Sequence, residues 1–275
     1  MTSFNVIRKS ACFAMILSVL FVGGMAQAAL IHHYQAEGNA NDSVGSHDGV
    51  EGEGVAYAPS MAGLGQAFSF NAEANSSIDT NMATILETGD RTIAFWLKSG
   101  ADQSTHYGPN GNKSLHVPVS QGHTDKGVTF QFGAFGSPNL VYCCRAGGSG
   151  QQILDYDRTS LDWHHVAVTY DDSNDENKIY LNGELANGKS IGGGPQIVET
   201  SWISAASSNG NTLRFGTDDE FSNRAYKGLL DDVRIYDHTL SADEVAALVP
   251  EPTSYVLIVA GMGMLLAARR RKTGS

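Results

Sequence analysis

The stretch that most constrains the fold is residues 163–184, which read WHHVAVTYDDSNDENKIYLNGE. Side chains alternate through residues 163–170, so that Val166, Val168 and Tyr170 share one face, as the period of two in a β-strand requires. The stretch therefore begins with a strand that buries one face against a core.

The same stretch predicts two linked hairpins. An acidic, Asn-rich turn at residues 171–177 is followed by a short strand at 178–181, which runs directly into Asn182-Gly183. That dipeptide is the strongest local signal for a two-residue hairpin turn, because both positions tolerate positive φ angles. The acidic turn lacks the spacing of a calcium-binding EF-hand loop, so we expect it to be solvated. Linked hairpins indicate an antiparallel sheet.

Composition extends this prediction to the whole chain. Among 275 residues there are 31 glycines, which favours many turns over many helices and an all-β class. Further strands are predicted at residues 31–34, 67–70, 92–97, 115–120, 128–135, 140–144, 212–216 and 226–236. Ser241 and Glu244 form a capping box that predicts one short helix, ending at residue 248. About ten strands and one helix suggest two antiparallel sheets packed face to face.

The first 28 residues predict a signal peptide rather than part of this fold. Arg8 and Lys9 precede an apolar run at residues 11–22, and Ala26 and Ala28 supply the small residues of a cleavage site. We expect export, with the mature chain beginning at residue 29. An uncleaved membrane anchor is the alternative, although the apolar run is short.

The C-terminal segment, residues 249–275, has a stop-transfer layout. A proline-rich breaker, an apolar run and a basic cluster follow one another: Pro250, Glu251 and Pro252, then residues 255–268, then Arg269, Arg270 and Arg271. The apolar run is shorter than the roughly 17 to 25 residues of a stable transmembrane helix. The layout therefore predicts a transient membrane anchor.

This C-terminal segment resembles the PEP-CTERM sorting signal of Gram-negative bacteria, with all three parts in order. The resemblance implies recognition by an exosortase-type membrane protease, transient contact with the inner membrane, and release or attachment at the cell surface. It also implies a host that makes extracellular polysaccharide. A plain C-terminal membrane anchor is the alternative.

Charge excludes some partners of the segment between the two ends, residues 29–248. Setting aside the six cations and Glu251 of the ends leaves 12 basic and 28 acidic residues, a balance of −16. Such a surface repels nucleic acid and anionic lipid, and it favours solubility or divalent cations. The adjacent Cys143 and Cys144 form either two free thiols or a strained vicinal disulfide.

Three stretches of residues 29–248 resemble the laminin G-like branch of the concanavalin A-like lectin/glucanase superfamily. They are GNANDS at 38–43, WHHVA at 163–167 with YLNG at 180–183, and GLLDDVRIY at 228–236 with LSADEV at 240–245. The resemblance implies a jelly-roll sandwich, often with one structural calcium ion. It leaves the ligand open, because relatives bind sugars, bind proteins or act as spacers.

A calcium site between the first loop and the last strand is the candidate site, because the resemblance implies that these two segments lie near one another. The loop at 38–49 offers Asp42, Asp48 and several glycine carbonyls, and Asp231 or Asp232 can complete a shell of six to eight oxygens. Neighbouring strand residues face opposite ways, so we expect only one of Asp231 and Asp232 to reach the ion and the other to face solvent or Arg234. Solvated turn carboxylates are the alternative. The histidine pairs 32–33 and 164–165 split between opposite faces for the same reason, which favours structural roles.

The sequence favours binding over catalysis. Catalytic relatives resemble Glu-x-Asp-x-x-Glu, and a retaining glycosidase needs two carboxyl groups about 5 to 5.5 Å apart, but no glutamate here begins that pattern. Trp202, Tyr107 and Tyr142 are the candidate platforms for a sugar ring, with ordinary packing as the alternative. We expect a non-catalytic surface protein that binds carbohydrate or matrix components. A spacer without a ligand is the alternative, and a glycoside-active enzyme is a remoter one.

Overall fold

The structure of the chain is a computed structural model. It describes residues 29–61, 64–73, 75–83, 89–100, 116–121, 128–132, 139–144, 151–157, 160–174, 176–186, 189–190, 212–218 and 224–249. The predicted signal peptide and sorting segment lie outside these ranges, apart from residue 249. The boundaries at 28 and 249 therefore stay predictions.

These ranges form sixteen strands and one helix. In chain order they are β1 (Leu30–Tyr34), β2 (Val50–Glu51), β3 (Ala56–Pro59), β4 (Gln66–Asn71), β5 (Ile78–Ala83), β6 (Arg91–Ser99), β7 (His116–Gln121), β8 (Val128–Phe132), β9 (Asn139–Cys144), β10 (Gln151–Asp157), β11 (His164–Asp171), β12 (Glu176–Leu181), β13 (Glu184–Leu185), β14 (Lys189–Ser190), β15 (Thr212–Phe215), β16 (Lys227–Tyr236) and α1 (Ala242–Ala247).

The strands make two eight-stranded antiparallel sheets. The first sheet has the order β13-β12-β11-β6-β16-β4-β3, and β1 pairs with the second half of β16, beyond the part that pairs with β4. The second sheet has the order β14-β10-β9-β8-β7-β15-β5-β2. The predicted all-β sandwich with one short helix is confirmed.

The core lies between the two sheets. Alternation along β6 turns Ile93, Phe95 and Leu97 inward, where they are fully buried. Phe95 meets Phe130 of the opposite sheet edge to face, with ring centroids 4.9 Å apart. Such perpendicular aromatic pairs stabilise beyond the area that they bury.

The hairpins predicted from residues 163–184 are present. β11 and β12 pair from Val166↔Leu181 to Asp171↔Glu176. Asn182 and Gly183 both have positive φ angles, 53° and 81°, as a type I′ turn requires.

A second apolar cluster covers the outer face of the first sheet. There α1 packs Val245 against Ala94 of β6, Ala167 of β11 and Tyr236 of β16. The predicted capping box starts the helix, with Ser241 as the N-cap residue. Within the described ranges, no helix has the length and apolar character needed to cross a membrane.

The expected strand number was too low. The ten predicted strands are present, and the six additional ones are β2, β3, β5, β10, β13 and β14. Three of these contain two residues each, too few to show a period in the sequence.

Candidate functional site

The carboxylate of Asp42 lies where the chain turns back after β1. Its Oδ2 is 2.6 Å from His32 Nδ1, and its Oδ1 accepts hydrogen bonds from the amides of His33 and Gly45, at 3.1 and 2.8 Å. His47 adds a third amide donor at 3.2 Å. Burial raises the pKa of Asp42, but the hydrogen bonds from His32 and these amides outweigh burial and lower the pKa to about 2.

The loop sequence explains how this carboxylate is held. Asp48 accepts a hydrogen bond from the Asp42 amide at 2.9 Å, which fixes the turn. A Cβ atom at Gly45 would lie 2.4 Å from both Asp42 Oδ2 and His32 Nδ1. Glycine is therefore needed at this position for the loop to close over the pair.

Asp42 joins His32 and His47 in a group of three potential metal ligands, here named the histidine–aspartate cluster. One ligand atom from each residue lies within 4.8 Å of the other two. The rings of His32 and His47 are 5.3 Å apart and nearly perpendicular. In the described ranges this is the one group of three such side chains.

Sequence reasoning missed this cluster. It treated His32 only with its neighbour His33 and left His47 out of the loop's ligand set. The signal available in the sequence was His47 itself, which lies in the same turn as Asp42 and Asp48.

Asp232 lies on the other side of β1. Its Oδ1 is 2.6 Å from His33 Nε2 and 2.9 Å from Arg234 Nε, so it contacts Arg234, one of the two environments expected for it. Its φ angle is 52°, and the register with β6 shifts between Asp231 and Arg234. A β-bulge therefore interrupts the strict alternation on which the sequence argument relied.

Asp231 is buried beside this bulge. One carboxylate oxygen contacts the hydroxyl of Ser60, and the other accepts the Asp232 amide at 2.7 Å. Burial outweighs these hydrogen bonds and raises the pKa of Asp231 to about 7.

The predicted calcium ligands thus come together as two pairs. Asp42 and Asp48 share the loop, while Asp231 and Asp232 share the bulge. His33 links the pairs, since its amide donates to Asp42 and its imidazole contacts Asp232. Calcium binding by these four residues stays a prediction.

A buried aromatic pair lies on the outer face of the first sheet, the face that α1 covers. Trp96 and His165 are 4% and 2% exposed, and their rings are 5.1 Å apart. Burial lowers the pKa of His165 to about 4, although the nearby Asp232 opposes this shift. His165 is therefore neutral at pH 7.

A surface groove runs beside α1 with a volume of about 1040 Å³. We name it the helix groove. Its lining includes Lys178, Tyr180, Leu185, His238, Ser241 and Glu244. Leu185 is 53% exposed, so the groove offers apolar surface beside groups that donate and accept hydrogen bonds.

The other predicted site residues are not tested. Trp202, Tyr107, Pro250, Glu251, Pro252, Arg269, Arg270, Arg271, Ala26 and Ala28 lie outside the described residues. Tyr142 pairs with Phe130 and Gln152 through the backbone of β9.

Comparisons with known proteins agree with this architecture. The family described as the concanavalin A-like lectin/glucanases superfamily matches residues 72–246. No curated protein sequence matches the chain.

Several solved structures share the fold. Domain 4 of AbnA, a GH43 extracellular arabinanase from Geobacillus stearothermophilus in complex with arabinotriose, has a TM-score of 0.56 and 20% identity, over 81% of this chain and 99% of that one. The botulinum neurotoxin serotype D ligand binding domain in complex with N-acetylneuraminic acid has a TM-score of 0.57 and 17% identity. The binding domain of Paraclostridial mosquitocidal protein 1 has a TM-score of 0.55 and 20% identity.

The toxin matches cover 80% and 78% of this chain, which spans about half of each toxin domain, 50% and 49% respectively. At these identities the likeness establishes the fold alone.

Proposed function

Because this chain belongs to the concanavalin A-like lectin/glucanase superfamily, we propose that it is a non-catalytic surface module that binds a carbohydrate chain in the helix groove. The groove carries the proposal. Its volume of about 1040 Å³ lies at the upper end of the range of ligand sites.

The chemistry of the lining supports a sugar ligand. Lys178, Ser241 and Glu244 supply donors and acceptors for hydroxyl groups, and Leu185 supplies apolar surface for the C–H face of a ring. The acidic balance of residues 29–248 disfavours an anionic polymer, so a neutral oligosaccharide is the best match. The arabinanase domain in complex with arabinotriose has this fold.

The paired acids of β16 support a role without catalysis. A glycosidase needs two carboxyl groups that face the scissile bond. Asp231 and Asp232 are 1% and 9% exposed, and their oxygens contact Ser60, His33 and Arg234.

A glycan array probed with the full chain, in calcium and in chelator, tests the proposal. We expect neutral oligosaccharides to bind and Leu185→Ala to weaken the affinity about tenfold, roughly 1.4 kcal/mol. Val50→Ala is the matched control, because Val50 is also exposed, at 61%, but lies on β2 of the other sheet.

An array without any bound glycan contradicts the proposal and favours the spacer role. Glycan binding that survives Leu185→Ala but is lost in Trp202→Ala, Tyr107→Ala or Tyr142→Ala supports carbohydrate binding and contradicts its placement in the helix groove.

We also propose that the chain is exported and that its tail is processed at the cell surface. The apolar run at 11–22 and the segment 249–275 support this proposal. Mass spectrometry of the mature protein from a host with an exosortase-type protease is expected to give residue 29 as the first residue. Replacing Pro250, Glu251 and Pro252 with alanine is expected to leave the tail uncut. Equal processing of both chains contradicts the sorting proposal.

A further inference from the structure

We propose that His32, Asp42 and His47 bind one divalent transition-metal ion, for which Zn²⁺ is the best match. This site shares Asp42 with the predicted calcium site, but its other ligands are the histidines 32 and 47 instead of Asp48 and Asp231 or Asp232. It is also independent of carbohydrate binding in the helix groove.

The first argument is convergence. His32 comes from β1, whereas Asp42 and His47 come from the loop that follows it. One ligand atom from each lies within 4.8 Å of the others. Zinc sites place their nitrogen and oxygen ligands about 2.0 to 2.2 Å from the metal, so a single ion reaches all three with small side-chain movements.

The second argument is the donor set. Two imidazole nitrogens and one carboxylate oxygen suit zinc and its neighbours among the transition metals. Calcium requires six to eight oxygens, and magnesium keeps most of its waters. Three protein ligands leave a fourth tetrahedral position for water.

The third argument is that the ligands are already held in place. The amides of His33 and Gly45 fix the Asp42 carboxylate, and Gly45 allows the loop to approach His32 closely. The hydroxyl of Tyr34, a fully buried core residue, donates to the His47 carbonyl at 2.7 Å. Such supporting contacts orient metal ligands and raise affinity.

Binding requires the contact between His32 and Asp42 to open. His32 Nδ1 and Asp42 Oδ2 are 2.6 Å apart, whereas two ligands of a tetrahedral zinc ion lie roughly 3.3 Å apart. The contact opens by well under 1 Å, and His32 binds the ion through an unprotonated Nδ1, with the ring proton on Nε2.

Calorimetric titration of the untagged full chain with zinc chloride tests the site, with calcium chloride titrated separately. We expect one zinc ion per chain and a higher melting temperature with zinc. His47→Ala is the decisive variant, because it removes a ligand and keeps both backbone hydrogen bonds of residue 47. We expect its zinc affinity to fall about tenfold or more and its melting temperature to lose the response to zinc. His32→Ala is expected to show the same loss.

His238→Ala is the matched control. It removes a histidine whose Nδ1 lies 2.8 Å from the Asp237 carboxylate, outside the cluster, and its zinc binding should equal that of the wild type. The proposal is overturned by a wild type that binds no zinc. Unchanged binding in His47→Ala, as expected of a site at Cys143 and Cys144, overturns it equally.

Discussion

His165 is a neutral histidine buried where a charge would be costly. Burial lowers its pKa to about 4 from the ordinary 6.5. Between these values the unfolded chain binds more protons than the native chain, so this residue makes stability fall as pH falls from 6.5 toward 4. Above pH 6.5 the contribution is constant.

We therefore predict that acid weakens the wild type more than His165→Gln. The histidine accounts for a loss of about 2 kcal/mol between pH 7.5 and 5. Urea unfolding of both proteins at the two pH values measures the difference. Equal losses in His165→Gln and the wild type would refute this account.

Gly216 is a position at which the fold requires glycine. Its φ angle is 85°, and an added Cβ would lie 2.5 Å from Phe70 Cδ1 and 2.8 Å from the Ser76 carbonyl oxygen. We predict that Gly216→Ala lowers the free energy of unfolding by about 3 kcal/mol, from backbone strain and overpacking together.

Gly89→Ala isolates the backbone contribution. Gly89 has a φ angle of 75°, but its added Cβ would meet only Arg91 Nη1 at 3.8 Å. Chemical denaturation should give a loss of about 1 kcal/mol for this control. Losses of the same size at both glycines would show that packing around Gly216 is unimportant.

At the scale of elements, strands with clear local signals were predictable. The alternation in β11 and the Asn182-Gly183 dipeptide located the hairpins before any tertiary contact was known. β2, β13 and β14 have two residues each and exist only because a neighbouring strand pairs with them. The bulge at Asp232 lies between the part of β16 that pairs with β4 and the part that pairs with β1, a change of partner that the local sequence does not show.

The capping box of α1 gives a prediction for a whole element. Ser241 Oγ accepts from the Glu244 amide, and Glu244 Oε2 accepts from the Ser241 amide at 2.8 Å. Ser241→Ala should cost about 1 kcal/mol, because an amide of the first turn loses its acceptor. Thermal unfolding measures the loss. Asp243→Asn, a change in the same turn but outside the box, should have a smaller effect, and the reverse order would contradict the assignment.

At the scale of the whole molecule, one core joins both sheets. Phe95 and Phe130 come from different sheets and contact edge to face. We predict that Phe95→Ala costs about 3 to 5 kcal/mol and that both sheets still unfold in one transition. Tryptophan fluorescence and far-ultraviolet circular dichroism should give coincident urea transitions. Two separated transitions would mean that the sheets are independent units.

The candidate metal site also belongs to this scale. The acidic, glycine-rich loop was evident in the sequence, whereas its approach to the last strand was implied only by the family resemblance. That His32 faces the loop while His33 faces Asp232 follows from the register of β1 against β16. Sequence alternation predicted that the two histidines separate, but only the tertiary fold placed His47 opposite one of them.

The pairing of β1 with β16 has a mechanical consequence. Leu30 lies opposite Tyr236, so the first residue of β1 and the last residue of β16 are at the same end of this pair of strands. A force that pulls residues 29 and 240 apart loads the hydrogen bonds of this antiparallel pair one after another, because they run perpendicular to the strands. Under tension β1 therefore separates from β16 one hydrogen bond at a time, whereas a shear geometry would load all of these bonds together. The first segment to leave carries His32 and His33, so we expect stretching to separate the loop from the last strand before Tyr34 of β1 leaves the core.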